Sequence, residues 1–419
     1  PTSVAGVRPE SEAIKEIEAH GVSVIEVTRS AAGAWSYVQG STLNRRITPN
    51  TPMAFSGPAK GNAALRTAYS ADGTAGRGTI NNCANGAMPW STYLTCEENW
   101  AGYFRRSAGD AAVRTAAGAA KQNASLTRYG IREGSAGGYG WATVTPADAN
   151  NSVFRRWNIT ATAGVEPTAD YRNEANQLGW VVEIDPYDAA STPRKRTALG
   201  RVNHEGCCAG RMVAGVKPAF YMGDDARNEY IYKFVSATAW SAVDATAANR
   251  LATGDKYLDN GTLYVAKFNA DGSGQWLPLV FGQGPLTAAN ATYPFADQAD
   301  VLINTRLAAD ALGATPMDRP EWTAVNPVTG EMYCTLTNNS QRTPANTDAA
   351  NPRAYSDPKQ NGGSATTGNA NGHIVRLRET GDTSEATSFT WDIYAFGAGA
   401  DLDPANVNLS RLDDTQDFS

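Results

Sequence analysis

The chain has 419 residues and a net charge of −6, and only 19% of its residues are charged. That balance excludes a general nucleic-acid binder, which needs a basic face, and no apolar run of about 18 residues offers a membrane span. Gly and Pro together make up about 15% of the chain against a usual ~12%, while Trp, Tyr and Phe stay plentiful, which describes a turn-rich folded protein and not a disordered one.

In chain order, the first element is a helix over Glu10–Ala19, where good helix formers carry apolar residues at helical spacing. Short strand-like runs follow, with aromatic and β-branched residues at period two: 21–27, 35–38, 179–184, 230–235, 262–268 and 332–336. A second helix is predicted over Thr305–Leu312. Two junctions read as hairpins, at Asn269-Ala270-Asp271-Gly272-Ser273-Gly274 and at Asn326-Pro327-Val328-Thr329-Gly330, where Pro and Gly supply the turn. Three Ala/Asn/Thr/Gly-rich stretches, 111–125, 236–252 and 343–371, read as long surface insertions because strand signals resume after each. With no βαβ alternation, a doubly wound sheet is excluded. Many short antiparallel strands without a strict repeat point to an all-β propeller, sandwich or β-helix with few helices. Nothing marks a domain boundary, so residues 1–419 read as one domain.

Five cysteines (Cys83, Cys96, Cys207, Cys208 and Cys334) include no C-x-x-C, and only three histidines occur, so a zinc ribbon and a His-rich zinc site lack ligands. With 42 carboxylates available, a metal site in this chain is expected to be rich in oxygen. Four polar clusters could build one. Thr95-Cys96-Glu97-Glu98-Asn99 sets a thiol beside two adjacent carboxylates, a set that suits iron better than calcium alone. Asn203-His204-Glu205-Gly206-Cys207-Cys208 breaks the H-E-x-x-H pattern and excludes a zincin; here His204 reads as an orienting or core histidine and the cysteines as small buried apolar groups. Gly223-Asp224-Asp225-Ala226-Arg227 offers oxygen ligands for calcium at a strand end without the EF-hand pattern. Asp318-Arg319-Pro320-Glu321 sets Arg319 and Glu321 on one face of an extended segment, where the planar guanidinium fits phosphate oxygens. Each cluster alone also reads as a solvated strand end or a salt-bridged turn. Together they are an acid-rich set at separate strand ends, which a propeller would gather at the mouth of its channel. That is equipment for phosphoryl transfer, where cations neutralise the equatorial oxygens.

At these clusters the sequence resembles PhoX-type alkaline phosphatases. The matching segments are 81–104, 200–206, 221–235, 318–339 and 372–392, in family order and across most of the chain. The resemblance implies a six-bladed β-propeller with long loop insertions, an Fe3+ and Ca2+ cluster in its channel, and hydrolysis of small phosphate monoesters. By motif position it implies Cys96 as the iron thiolate and Glu205, Asp224 and Glu321 as carboxylate ligands. Glu97 or Glu98 adds another, with strand alternation favouring Glu98. Arg319 is implied as the phosphate holder, and Glu205 and Arg319 as the residues on which turnover depends. Family members are exported folded through the twin-arginine route, so a periplasmic or extracellular protein is expected. The chain starts at Pro1 without a leader and stops at Asp417-Phe418-Ser419, so the propeller is expected to lack its closing segment and the start of its first blade. The competing expectations are a calcium-dependent propeller hydrolase of lactonase or phytase type, which has no use for Cys96 as a ligand, and a surface propeller whose metals only staple its blades.

Overall fold

The computed structural model describes residues 2–145, 151–357 and 366–397. Both predicted helices form with the predicted bounds, Glu10–Ala19 and Thr305–Leu312. Each turns an apolar stripe inward: Ala13 and Ile17 in the first, Leu307, Ala308 and Ala309 in the second.

The strands fall mainly into two sheets. The first has six, in spatial order Ala75–Arg77, Pro52–Ser56, Arg194–Arg196, Val181–Ile184, Tyr93–Glu97 and Asn82–Ala87. Its pairs are antiparallel except Pro52–Ser56 with Arg194–Arg196, which run parallel. The second has nine, in the order Cys208–Ala209, Ala219–Gly223, Ile231–Ser236, Gly261–Phe268, Ser273–Pro278, Ser388–Phe396, His373–Glu379, Met332–Leu336 and Pro320–Val325, all antiparallel. It consists of two four-stranded meanders joined where Ser273–Pro278 meets Ser388–Phe396, with one short strand added.

Both predicted hairpins are present. In the first, Gly272 takes the left-handed conformation (φ +81°) that the turn requires, and Asp271 Oδ1 accepts the Ser273 amide at 2.9 Å. The second joins Pro320–Val325 to Met332–Leu336.

The second sheet curls until its ends approach. Thr323 Oγ1 donates to the Tyr221 carbonyl at 3.1 Å, and a Cβ on Gly223 would stand 2.3 Å from the Glu321 carbonyl oxygen. Only glycine allows backbones that close, and the result is a nearly closed, barrel-like sheet. One apolar core spans both sheets, with Leu94, Cys96 and Val181 from the first and Phe220, Met222, Phe234 and Val265 from the second. A separate, largely aromatic core (Trp100, Tyr103, Phe104, Trp141, Trp157) lies under the amino-terminal helix.

The stretch 111–125 is not a surface insertion. It folds into the helices Asp110–Ala116 and Lys121–Arg128, because the buried carboxylate of Asp110 is gripped by both Arg106 Nε (2.6 Å) and Arg114 Nε (2.7 Å). Residues 236–252 form a short turn leading into the helix Arg250–Leu258, which buries Leu251, Tyr257 and Leu258. Of 343–371, residues 358–365 lie outside the described residues.

Candidate metal centre

Two β-bulges and one threaded loop assemble the site at the junction of the sheets. In the first sheet Asn82 pairs with Glu97 and Asn85 with Thr95, so Cys83 and Ala84 together oppose the single residue Cys96. The extra residue bends the strand and re-aims Cys83, whose thiol donates to Glu205 Oε1 at 3.0 Å. Glu98 lies just beyond the end of its strand, its amide held by the Asn81 carbonyl at 3.1 Å.

Residues 203–205 thread between the sheets. The His204 amide donates to the Glu97 carbonyl (3.0 Å), the Glu205 amide to the Gly223 carbonyl (3.2 Å), and the Ala84 amide to the Glu205 carbonyl (2.7 Å). In return the Asn203 carbonyl receives the Asp225 amide at 3.0 Å. The second bulge is in Pro320–Val325, where Pro320 pairs with Leu336 and Thr323 with Cys334, so Glu321 and Trp322 oppose Thr335 alone. Just before it, Arg319 adopts φ +52°, a left-handed conformation that non-glycine residues avoid and that concentrates at functional sites. From there its guanidinium forks onto Asp225 through Nε (2.9 Å) and Nη2 (2.8 Å) and lies 3.7 Å from Glu321.

Donor atoms of Cys83, Glu98 and Glu205 all lie within 4.8 Å of one another. Glu98 and Glu205 are 6% and 4% exposed, while Cys83 reaches solvent. Four carboxylates, Glu98, Glu205, Asp225 and Glu321, thus share one guanidinium. Burial, followed by the charges of Glu205 and Asp225, pushes Glu98 up to about 8. Burial, then Asp225 and Glu205, pushes Glu321 up to about 7. Glu205 is also raised, chiefly by burial and partly offset by the Cys83 thiol. Crowded acids of this kind ask for more positive charge than Arg319 brings. A thiol among carboxylates fits a transition metal, and the remaining oxygens fit a hard cation such as calcium.

Of the residues singled out in the sequence, Glu98, Glu205, Arg319 and Glu321 come together here. Glu97, Asp224 and Cys96 do not join them. Glu97 is fully buried on the opposite side of its strand, where Lys195 Nζ reaches Oε1 at 2.6 Å and the Gly179 and Trp180 amides donate to Oε2 at 2.8 and 3.0 Å. Asp224 is fully buried and occupied by Arg306, with Nε 2.8 Å from Oδ2 and Nη2 2.5 Å from Oδ1, and by the Asn203 amide at 3.1 Å. Cys96 is sealed in the core that spans the sheets, its thiol pushed well up by burial first and then by Cys207. Two members were missed. Cys83 sits in a polar, turn-like Asn81-Asn82-Cys83-Ala84-Asn85 run whose pairing opposite the acids was the available signal, and Asp225 was the other half of an Asp-Asp step. His204 is a core histidine: its Nε2 meets the Gly200 carbonyl at 2.9 Å and burial lowers its pKa to about 4.

Residues 4–418 match the family described as Alkaline phosphatase PhoX. Among solved structures, the chain is similar to Pseudomonas fluorescens PhoX in complex with vanadate, a transition state analogue, with 39% identity and a TM-score of 0.75. That match covers 93% of this chain and 60% of the other. No curated protein matches this chain.

Proposed function

This chain belongs to the PhoX family of alkaline phosphatases, and we propose that it releases inorganic phosphate from small phosphate monoesters at the acid cluster between its two sheets. The observation that carries the reading is the convergence of Cys83, Glu98, Glu205, Asp225 and Glu321 around Arg319. In this reading the thiol and the carboxylates hold Fe3+ and Ca2+, which supply positive charge against the phosphate oxygens and activate the nucleophile. Cys83 and Asp225 replace Cys96 and Asp224 in the ligand set, because each has a donor facing the cluster. Glu98 replaces Glu97 for the same reason. Glu205, touched by the Cys83 thiol, is the central ligand.

Arg319 holds the phosphate. Asp225 occupies its Nε and Nη2, which fixes the plane of the fork and leaves the Nη1 protons for phosphate oxygens. The related structure was solved with vanadate, the geometry such a fork would grip in the transition state. The six-bladed propeller is part of the same proposal. Its support is the pair of four-stranded meanders in the second sheet, each the size of one blade. A single domain is supported by the core that joins both sheets. Export to the periplasm or beyond rests on family membership; among the described residues no helix is long and apolar enough to cross a membrane.

The test is p-nitrophenyl phosphate hydrolysis with elemental analysis of the same samples. Glu205→Ala and Glu321→Ala are expected to lose at least about 100-fold in kcat/KM, which corresponds to about 2.7 kcal/mol of transition-state stabilisation. Full activity in either variant overturns the reading. Activity in a protein that carries calcium and no iron favours a calcium-only hydrolase.

A further inference from the structure

Arg319 points at the cluster, and the residue before it points the other way. Asp318 is fully buried and its carboxylate is saturated: Oδ1 accepts from Asn339 Nδ2 (2.7 Å) and Arg342 (Nε and Nη2, both 2.8 Å), and Oδ2 from Asn369 Nδ2 (3.1 Å). The Asp318 amide is tied as well, donating to Asn351 Oδ1 at 3.0 Å. These partners come from two segments far along the chain, and each is anchored in turn. Arg342 Nη1 reaches the Asn346 carbonyl (2.6 Å), Asn351 Nδ2 the Pro316 carbonyl (3.1 Å), and Asn369 Nδ2 meets His373 Nδ1 (3.0 Å).

A carboxylate locked by charge-assisted bonds in a buried site cannot rotate away without leaving charges unpaired. The next residue inherits that constraint. The Arg319 amide closes a tight turn onto the Met317 carbonyl at 3.1 Å, its carbonyl receives the Thr337 amide at 3.2 Å, and its φ is +52°. A strained backbone of this kind persists only where its surroundings over-determine it. Relaxed to an extended conformation, the chain would carry the guanidinium off Asp225.

We propose that Asp318, clamped by Arg342, Asn339 and Asn369, is a positioning residue for phosphate binding: it enforces the left-handed turn that presents Arg319 to the phosphate. The proposal rests on the phosphatase reading and on the role given there to Arg319. Asp318 touches neither substrate nor cluster, so it acts only through its neighbour.

The experiment uses the full, metal-loaded chain and inorganic phosphate as competitive inhibitor of p-nitrophenyl phosphate hydrolysis. Variants are Asp318→Asn, Arg342→Lys (which keeps the charge and removes the planar fork) and Arg319→Ala, with each of the first two also made in the Arg319→Ala background. Arg319→Ala is expected to raise the phosphate Ki at least tenfold. Asp318→Asn and Arg342→Lys should raise Ki and KM at least fivefold at unchanged metal content, and have no further effect once Arg319 is gone. If Asp318→Asn does not fold, Arg342→Lys decides. A Ki within twofold of the parent in folded, loaded variants overturns the proposal. So does an equal loss with and without Arg319, since that marks a purely structural knot. An unchanged Ki in Arg319→Ala alone overturns the reading of Arg319 itself, and the positioning role with it.

Discussion

Two pairs of neighbouring acids divide this molecule. Glu97 and Glu98 are consecutive, as are Asp224 and Asp225, yet in each pair one carboxylate is neutralised in the interior and the other faces the cluster. Glu97 has Lys195 and Asp224 has Arg306, each at contact distance and out of solvent. One region is compensated by the chain itself and is therefore scaffold. The other is left short of positive charge and is therefore fit for cations and a phosphate ester.

The sharpest way to break this distinction is to remove a cation from the compensated side. Lys195→Met leaves Glu97 buried with no counter-charge, and breaking a buried pair in this way costs about 3–5 kcal/mol. Urea unfolding of the metal-free protein should register that loss, whereas Glu98→Gln, which relieves a crowd of like charges, should leave stability unchanged or higher. Equal losses in the two variants would mean that the acids at the cluster are scaffold as well.

The same distinction marks where the sequence stops being legible. Both helices and both hairpins could be read because their signals are local: apolar spacing in one case, Asn, Pro and Gly at turns in the other. Four acid-rich runs at strand ends could be read too, and Glu98, Glu205, Arg319 and Glu321 came from them. The choice within each pair could not. It depends on which cation lies across the fold, and Lys195 and Arg306 are distant in sequence from the acids they neutralise. The bulge that re-aims Cys83 is likewise a property of the pairing of Asn82–Ala87 with Tyr93–Glu97 and not of either strand alone. The parallel pairing of Pro52–Ser56 with Arg194–Arg196, which brings Lys195 to its place, has no periodic signature.

A smaller effect, in pH, sharpens the compensated side. His373 is fully buried, with Nε2 at the Ala350 carbonyl (2.8 Å) and Nδ1 facing the Asn369 amide nitrogen (3.0 Å). That network assigns the proton to Nε2, and a second proton on Nδ1 would face another donor. Burial lowers its pKa to about 4, below the unfolded ~6.5. The unfolded chain therefore binds the proton more readily. Stability contributed by neutral His373 is complete above about pH 6.5 and is lost as pH falls toward 4, by up to about 3 kcal/mol. His204, lowered to a similar value, adds its own share. His373→Gln should therefore flatten the fall in melting temperature between pH 6.5 and 4 by roughly half. An unchanged slope would mean that His373 is charged within the fold.

The finest separation is between the two cysteines that oppose each other across the bulge. Cys83 carries its thiol to Glu205, while Cys96 belongs to the core beside Leu94 and Val181. Sulfur in the core acts as a small apolar group, so Cys96→Ala should cost about 1 kcal/mol of stability and leave iron content and colour intact. Cys83→Ser replaces a soft donor by a hard one, and should lose the iron–thiolate absorption while melting like the parent in the metal-free state. The bulge decides between them: without the extra residue at Cys83–Ala84, period-two alternation would carry Cys83 away from Glu205. If Cys96→Ala bleaches the protein and Cys83→Ser does not, the thiolate assignment passes back to Cys96, and the core that now encloses it must open when metal binds.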